Sequence, residues 1–237
     1  LYDDIYDRRS YIRHGITLPE LACVLDLGAN IGMFTLFDSI ECRSAIIHSI
    51  EPVPEIVEVL LANTQFYNLS ATVHGVAIGS KTDEVNLVYY PSSTLQSGLY
   101  TTPDRDENVV RQYAYSQQLE KVGNHNFTSR DFDALIEERF QEKHYRVPLK
   151  TLSEIIEKEN VKKIDLLKID VERSELEVLE GIKEAHWQII QQIVLEVHDS
   201  QTSKKVIEIL ENRGFNIAID KDVLFSGTAI STVYARS

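Results

Sequence analysis

The chain has 237 residues, of which 43% are hydrophobic and 26% charged, so it is long enough for one large domain with a sizeable core. Its formal net charge of −13 argues against nucleic acid as the main partner, because phosphate binding requires clustered Lys and Arg side chains. No apolar run approaches a membrane span, no signal-peptide pattern is present, and the two cysteines lack metal-ligand spacing, so we expect a cytoplasmic protein with reduced thiols.

The hydrophobic pattern predicts an α/β fold built on a mostly parallel sheet. A polar and aromatic N-terminal helical segment, residues 1–20, precedes three strand–helix repeats. Further along the chain, capping-box spacing predicts helices that begin at Thr151 and Ser174. An antiparallel pair is expected to close the sheet. Together the pattern predicts a single domain over residues 1–237 with seven strands, near residues 24–27, 45–50, 71–78, 164–170, 192–198, 215–219 and 232–235.

An insertion, residues 81–150, separates the third and fourth predicted strands. It begins with a strand-like run at residues 85–90, which predicts a hairpin, and its polar remainder predicts lid helices near residues 109–117 and 132–140. An insertion of this size is typical of a lid or cap that recognises a substrate. A solvated decoration without a role is the alternative.

A glycine-punctuated turn follows the first predicted strand. Gly28 and Gly32 allow a sharp turn close to a ligand, and Asn30 between them tolerates left-handed backbone angles. Asp26 ends the strand, where open α/β sheets bind ligands. The pattern Asp-x-Gly-x-Asn-x-Gly lacks the three glycines of a dinucleotide site and looks like the first motif of class I methyltransferases that use S-adenosylmethionine (SAM). A turn that binds nothing, or a nicotinamide site, remains an alternative.

The ends of the next two predicted strands complete this expected cofactor site. Glu51 ends the second strand, where an acid is placed to bind a ribose diol, and Pro52 follows it near the expected adenine. Ala77, at the end of the third strand, is expected to approach the base. Asp26 and Gly28 are expected to line the methionine end, with Asn30 and Gly32 shaping the turn.

Several segments together resemble the FkbM family of SAM-dependent O-methyltransferases. They include residues 24–34, 49–52 and 151–153, and the most specific is residues 164–181, with the sequence IDLLKIDVERSELEVLEG. The resemblance implies a Rossmann-like class I methyltransferase fold, SAM as cofactor, and transfer of a methyl group to a hydroxyl oxygen.

A closer similarity is to FkbM-type domains embedded in modular polyketide synthases and hybrid peptide synthetases. It depends on residues 11–16 near the start of the chain and, within the insertion, on residues 90–91 and 97–100. This similarity implies neighbouring synthase domains, which would explain the missing initiator methionine. It also implies an acceptor, such as a β-hydroxyl, carried on the phosphopantetheine arm of an acyl carrier protein. A free small molecule or sugar as acceptor, or a non-catalytic SAM-binding domain, stays open.

Methyl transfer to an alcohol is assisted by a general base at the carboxyl ends of the strands. His198 ends the fifth strand and Glu172 follows the fourth, so we predict His198 as the base and Glu172 as its partner. Asp170 is expected beside the cofactor. His14 is the alternative base. A second alternative is a divalent ion held by the acids and the histidine at the strand tips, namely Asp170, Glu172, Glu196, His198 and Asp199. The sequence lacks the usual ligand arrangement of metal-dependent methyltransferases, so we predict no metal.

Overall fold

The computed structural model describes residues 2–92, 97–99, 141–221 and 230–237. Within these residues the chain forms a seven-stranded sheet with strand order β3-β2-β1-β7-β8-β10-β9. Strands β3, β2, β1, β7 and β8 are parallel, and β10 runs antiparallel to both β8 and β9. The predicted α/β architecture with a mostly parallel seven-stranded sheet is therefore confirmed. These seven strands are β1 Cys23–Leu27, β2 Ile46–Ile50, β3 Ala71–His74, β7 Leu166–Ile169, β8 Gln192–Val197, β9 Asn216–Asp220 and β10 Ser231–Arg236.

A second, three-stranded sheet packs beside the first. Its strands are β4 Ala77–Ile78, β5 Asp83–Tyr89 and β6 Lys143–Lys150, in the order β4-β6-β5. The sequence predicted one continuous third strand over residues 71–78, which is wrong: the chain leaves the main sheet after β3, and β4 pairs with β6 instead. The predicted strand at residues 85–90 corresponds to β5, which forms an antiparallel pair with β6.

Helices cover both faces of the main sheet. They are α1 Met33–Glu41, α2 Pro54–Phe66, α3 Leu152–Lys158, α4 Glu175–Glu180, α5 Glu184–Trp187 and α6 Ser200–Asn212, and a π-helical turn, Asp3–Asp7, lies in the N-terminal segment. Alternate strand residues point to opposite faces, which divides the core in two. Leu25, Leu167 and Leu195 pack toward α3, α4 and α6, whereas Val24, Leu166 and Val194 pack toward α1 and the N-terminal segment.

The helix starts show which capping predictions hold. Thr151 and Glu154 form the predicted capping box at α3. The capping box predicted at Ser174 is wrong, because its side chain makes no capping hydrogen bond. Asp199 caps α6 through the backbone N–H groups of Gln201 and Thr202. The predicted lid helices lie outside the described residues.

Candidate active site

The turn after β1 brings backbone N–H groups to the carboxyl edge of the sheet. Gly28, Asn30 and Gly32 have φ angles of 73°, 49° and 88°, so all three residues are left-handed, as the sequence suggested for Asn30. A Cβ atom on Gly28 would lie 1.7 Å from the backbone oxygen of Asp170. Only glycine fits at this position, because the turn after β1 and the loop after β7 are in main-chain contact.

Glu51 connects this turn to the end of β2. Its carboxylate accepts hydrogen bonds from the backbone N–H groups of Asn30 and Val53, each at 3.0 Å. Burial raises the pKa of Glu51 to about 7, although these two hydrogen bonds favour the charged form. Glu51 therefore changes protonation state close to neutral pH.

A cavity of about 840 Å³, including its open mouth, lies over the carboxyl ends of β1, β2 and β7. Of the residues predicted for the cofactor, most line the cavity: Gly28, Asn30, Glu51, Pro52, Ala77 and Asp170. Among the described residues, Asp26, Gly32 and His198 lie outside the lining.

Asp26 is engaged in a buried ion pair beneath the turn. Its Oδ1 lies 3.0 Å from Nζ of Lys168, and its Oδ2 accepts a hydrogen bond from Thr35 at 3.0 Å. Asp26 is fully buried and Lys168 is 2% exposed. The expectation that Asp26 lines the methionine end is not met by this geometry, because both of its oxygens face partners inside the protein.

Asp170 is the carboxylate that reaches the cavity at this end. Its Oδ2 accepts a hydrogen bond from Tyr11 Oη at 3.0 Å and lies 3.6 Å from Lys168 Nζ. The Lys168 ammonium also stands 5.1 Å from the Tyr11 ring centroid and 5.7 Å from that of Phe34. Tyr11 thus brings the N-terminal segment into the cavity wall.

His198, at the end of β8, is surrounded by three carboxylates. Its Nε2 lies 3.1 Å from Glu172 and 3.4 Å from Glu196, and its Nδ1 lies 3.1 Å from Glu175. Burial alone would lower the pKa of His198, but the carboxylates, Glu172 first among them, outweigh burial and raise it well above its usual value. His198 is therefore an imidazolium at neutral pH.

Glu172 is the member of this cluster that lines the cavity. Burial raises its pKa to about 7, while the contact with His198 acts in the opposite direction. The predicted pairing of Glu172 with His198 is thus present in the structure. Since His198 is already protonated and both of its nitrogens face carboxylates, Glu172 is the member of the pair with capacity to take a proton.

The sequence left two alternatives to His198 as base: His14 and a divalent metal ion. His14 Nε2 lies 2.8 Å from Asp220, and the ring packs against Tyr234, outside the cavity lining. Among the described residues, no group of three or more His, Cys, Asp or Glu side chains has an arrangement that could hold a metal ion. The imidazole itself occupies the space between the three carboxylates.

Sequence reasoning assigned no role to Lys168, Glu175 or Tyr11. For Lys168 a signal was present: a lysine inside an apolar, buried strand requires a carboxylate partner on a neighbouring strand, and Asp26 is its cross-strand neighbour. No comparable signal marked Tyr11, whose contacts span most of the length of the chain.

Comparison with known proteins identifies relatives along the whole chain. The sequence model described as "Methyltransferase FkbM domain" matches residues 26–217. The 31-O-demethyl-FK506 methyltransferase FkbM of Streptomyces tacrolimicus is 35% identical over 239 residues, covering 100% of this chain and 88% of that protein. The AMB antimetabolite synthetase AmbE of Pseudomonas aeruginosa is 33% identical over 243 residues, covering 99% of this chain and 11% of AmbE.

Solved structures support the fold. TrmK of M. capricolum, in complex with S-adenosylhomocysteine, superposes with a TM-score of 0.50 at 6% identity, covering 98% of this chain and 67% of that one. In the part of the chain that the structure describes, no helix is long and apolar enough to cross a membrane.

Proposed function

The chain belongs to the FkbM family of methyltransferases and uses SAM as its cofactor, and on that premise we propose that it methylates a hydroxyl oxygen. The observation that carries this proposal is the carboxylate of Glu172, which lines the cavity and is held by His198. A hydroxyl acceptor needs such a group to receive its proton. The name of the Streptomyces relative, which refers to an O-demethyl substrate, supports an oxygen acceptor.

The residues of the cavity fit SAM. Gly28 and Asn30 line the cavity from the turn after β1, and Glu51 presents a carboxylate to ribose hydroxyls. Pro52 and Ala77 provide the wall beside the adenine, and Asp170 would receive the ammonium group of the methionine end. When SAM is bound, its sulfonium supplies an electrophilic methyl group.

Glu172 acts as the general base in this proposal. The proton of the acceptor hydroxyl passes to the Glu172 carboxylate as the oxygen attacks, and the His198 imidazolium offsets the negative charge of the cluster before the transfer. The sequence favoured His198 as base and Glu172 as partner. The exchange of these two roles, with Glu172 as base and His198 as its partner, is supported by the position of Glu172 in the cavity wall and by the charge on His198.

The acceptor is proposed to be a β-hydroxyl of a polyketide-type intermediate on an acyl carrier protein. Its support is the 33% identity to AmbE, a synthetase of which this chain matches only 11%. The insertion, residues 81–150, is proposed to recognise the acceptor, since Leu87, Gly98 and Leu99 line the cavity beside the residues of the main sheet. A free small molecule is the second candidate, because the Streptomyces relative is matched over 88% of its length.

Intact-mass spectrometry tests the proposal directly. A 3-hydroxybutyryl acyl carrier protein is incubated with the protein and SAM, with and without EDTA, and the same acyl group is offered as a pantetheine thioester. We expect the carrier-bound acceptor to gain one methyl unit, insensitive to EDTA, and faster than the thioester. Equal rates for both acceptors would favour a free small molecule, and a gain abolished by EDTA would contradict the metal-free base.

Two variants separate catalysis from cofactor binding in the same assay. Glu172→Gln preserves the size of the side chain but removes the base, so turnover is expected to fall by about 10²–10⁴-fold while SAM affinity is retained. Glu180→Gln, an exposed acid on α4, is the matched control and should behave as the wild type. SAM binding without turnover on any hydroxyl acceptor would instead indicate a non-catalytic SAM-binding domain.

A further inference from the structure

Glu175 lies at the start of α4 and is fully buried next to the proposed base. A carboxylate in such a position needs charged or hydrogen-bonding partners, because burial without them is strongly unfavourable. Its Oε1 accepts hydrogen bonds from the backbone N–H of Arg173 at 2.8 Å and from Nδ1 of His198 at 3.1 Å. One oxygen atom therefore joins the loop after β7 to the imidazole at the end of β8.

The loop segment that Glu175 holds has an unusual backbone. Glu172 and Arg173 have φ angles of 49° and 74°, so two successive residues with side chains are in the left-handed region. Such residues persist where the surrounding structure compensates for the strain, and they concentrate at functional sites. The hydrogen bond from Arg173 N to Glu175 is one such compensating contact, and it fixes the segment from which Glu172 reaches the cavity.

The imidazole is oriented by the same carboxylate. With Nδ1 donating to Glu175, the ring directs Nε2 toward Glu172 and Glu196. A ring rotated away from this position would lose the contact that pairs it with Glu172. The charged groups that face His198 are therefore Glu175 from α4, Glu172 from the loop after β7, and Glu196 from β8. The nearby charge of Asp170 raises the pKa of both Glu172 and Glu196.

We propose that Glu175 is a positioning residue for the proton-accepting pair. It holds the His198 ring and the left-handed turn of Glu172 and Arg173 in one arrangement, without contacting the acceptor. The inference rests on the proposed role of Glu172. No signal in the sequence beyond its place in the segment of residues 164–181 distinguishes Glu175 from the other acids of α4.

Three substitutions at this position separate charge, reach and bulk. Glu175→Gln retains the oxygen that accepts from Arg173 and His198 but removes the charge. Glu175→Asp keeps the charge and shortens the side chain by one methylene group, about 1.5 Å. Glu175→Ala removes both the charge and the oxygen that accepts the two hydrogen bonds. Glu177→Gln is the control, because it removes an acid from the same first turn of α4 without touching the cluster.

Kinetics with SAM and the 3-hydroxybutyryl carrier protein supply the first readout. We expect kcat to fall at least tenfold in Glu175→Asp and Glu175→Ala, and less in Glu175→Gln, which keeps the hydrogen bonds. KM for the carrier protein and Kd for SAM should stay within twofold of the wild type, as for a loss confined to the transition state. Wild-type kcat in Glu175→Asp and Glu175→Ala would overturn the proposal, as would an equal loss in Glu177→Gln.

Nitrogen-15 NMR of the His198 ring supplies a readout that needs no acceptor. In the wild type both ring nitrogens should stay protonated through neutral pH, and in Glu175→Gln the ring should lose its proton at a lower pH, because one of three neighbouring negative charges is gone. An unchanged titration would overturn the proposal whatever the acceptor. If Glu172→Gln retained the wild-type rate, the proposed base would be refuted, whereas the His198 titration would still report on Glu175.

Discussion

Replacing Lys168 by Met tests whether the site depends on the buried ion pair with Asp26. The pair is separated by 3.0 Å, and the two side chains are 3% and 0% exposed. Lys168 also donates a hydrogen bond of 3.2 Å to the backbone oxygen of Gly28, so it supports the turn after β1. Removing the ammonium leaves Asp26 buried without a counter-charge, which costs about 3–5 kcal/mol.

Urea denaturation measures this loss. With an m-value of about 2–3 kcal/mol per molar urea, the midpoint of Lys168→Met should fall by roughly 1–2.5 M. The double variant Asp26→Asn/Lys168→Met removes both charges and should recover most of the loss. Lys205→Met makes the same change at an exposed position of α6 and should alter stability by less than about 0.5 kcal/mol. An unchanged midpoint in Lys168→Met, or a double variant no more stable than the single one, would refute the reasoning.

Three further predictions follow from the backbone and from buried acids. SAM affinity, measured by calorimetry, should increase up to about tenfold from pH 6 to pH 8 as Glu51 loses its proton near pH 7, and Glu51→Gln should remove this dependence; a flat wild-type profile would contradict it. Burial, followed by the nearby Asp26 charge, raises the pKa of Asp38 well above its usual value, so the wild type loses stability as pH rises above the unfolded pKa. The advantage of Asp38→Asn in thermal unfolding should then grow by up to about 1.4 kcal/mol per pH unit, and an advantage that does not change with pH would count against it. Leu21 is 70% exposed at a φ of 65°, so Leu21→Gly should raise Tm by about 2–4 °C, whereas a lower Tm would show that the side chain stabilises the fold.

The main sheet could be predicted because its central strands are buried on both faces. Such strands appear as short apolar runs between turn residues, and β1, β2, β7 and β8 all have this pattern. The second sheet was harder to predict. Half of the residues of strand β6 are exposed, and the strand contains Pro148 and follows a long polar stretch in the sequence. Neither its apolar content nor its position therefore separates it from a loop.

The sequence indicated which residues surround the candidate site, but not which of the acids face the cavity or which of the groups are charged. Glu51, Glu172 and Asp170 were identified because acids at strand ends converge on one edge of a parallel sheet. Which acid turns inward depends on cross-strand partners, as the pairing of Asp26 with Lys168 shows. The charge of His198 depends on three carboxylates from separate elements, and no local pattern encodes that sum.

The main-chain contact between Gly28 and Asp170 limits which substitutions this part of the chain can tolerate. The turn after β1 and the loop that carries Glu172 are in backbone-to-backbone contact, and any side chain at Gly28 would overlap Asp170. A substitution there pushes both loops apart at once. Substitutions should therefore be tolerated less well at Gly28 than at Gly32, where the nearest neighbour is the flexible end of the Leu60 side chain. A compensating substitution at position 170 cannot relieve the overlap at Gly28, because the atom in the way belongs to the backbone.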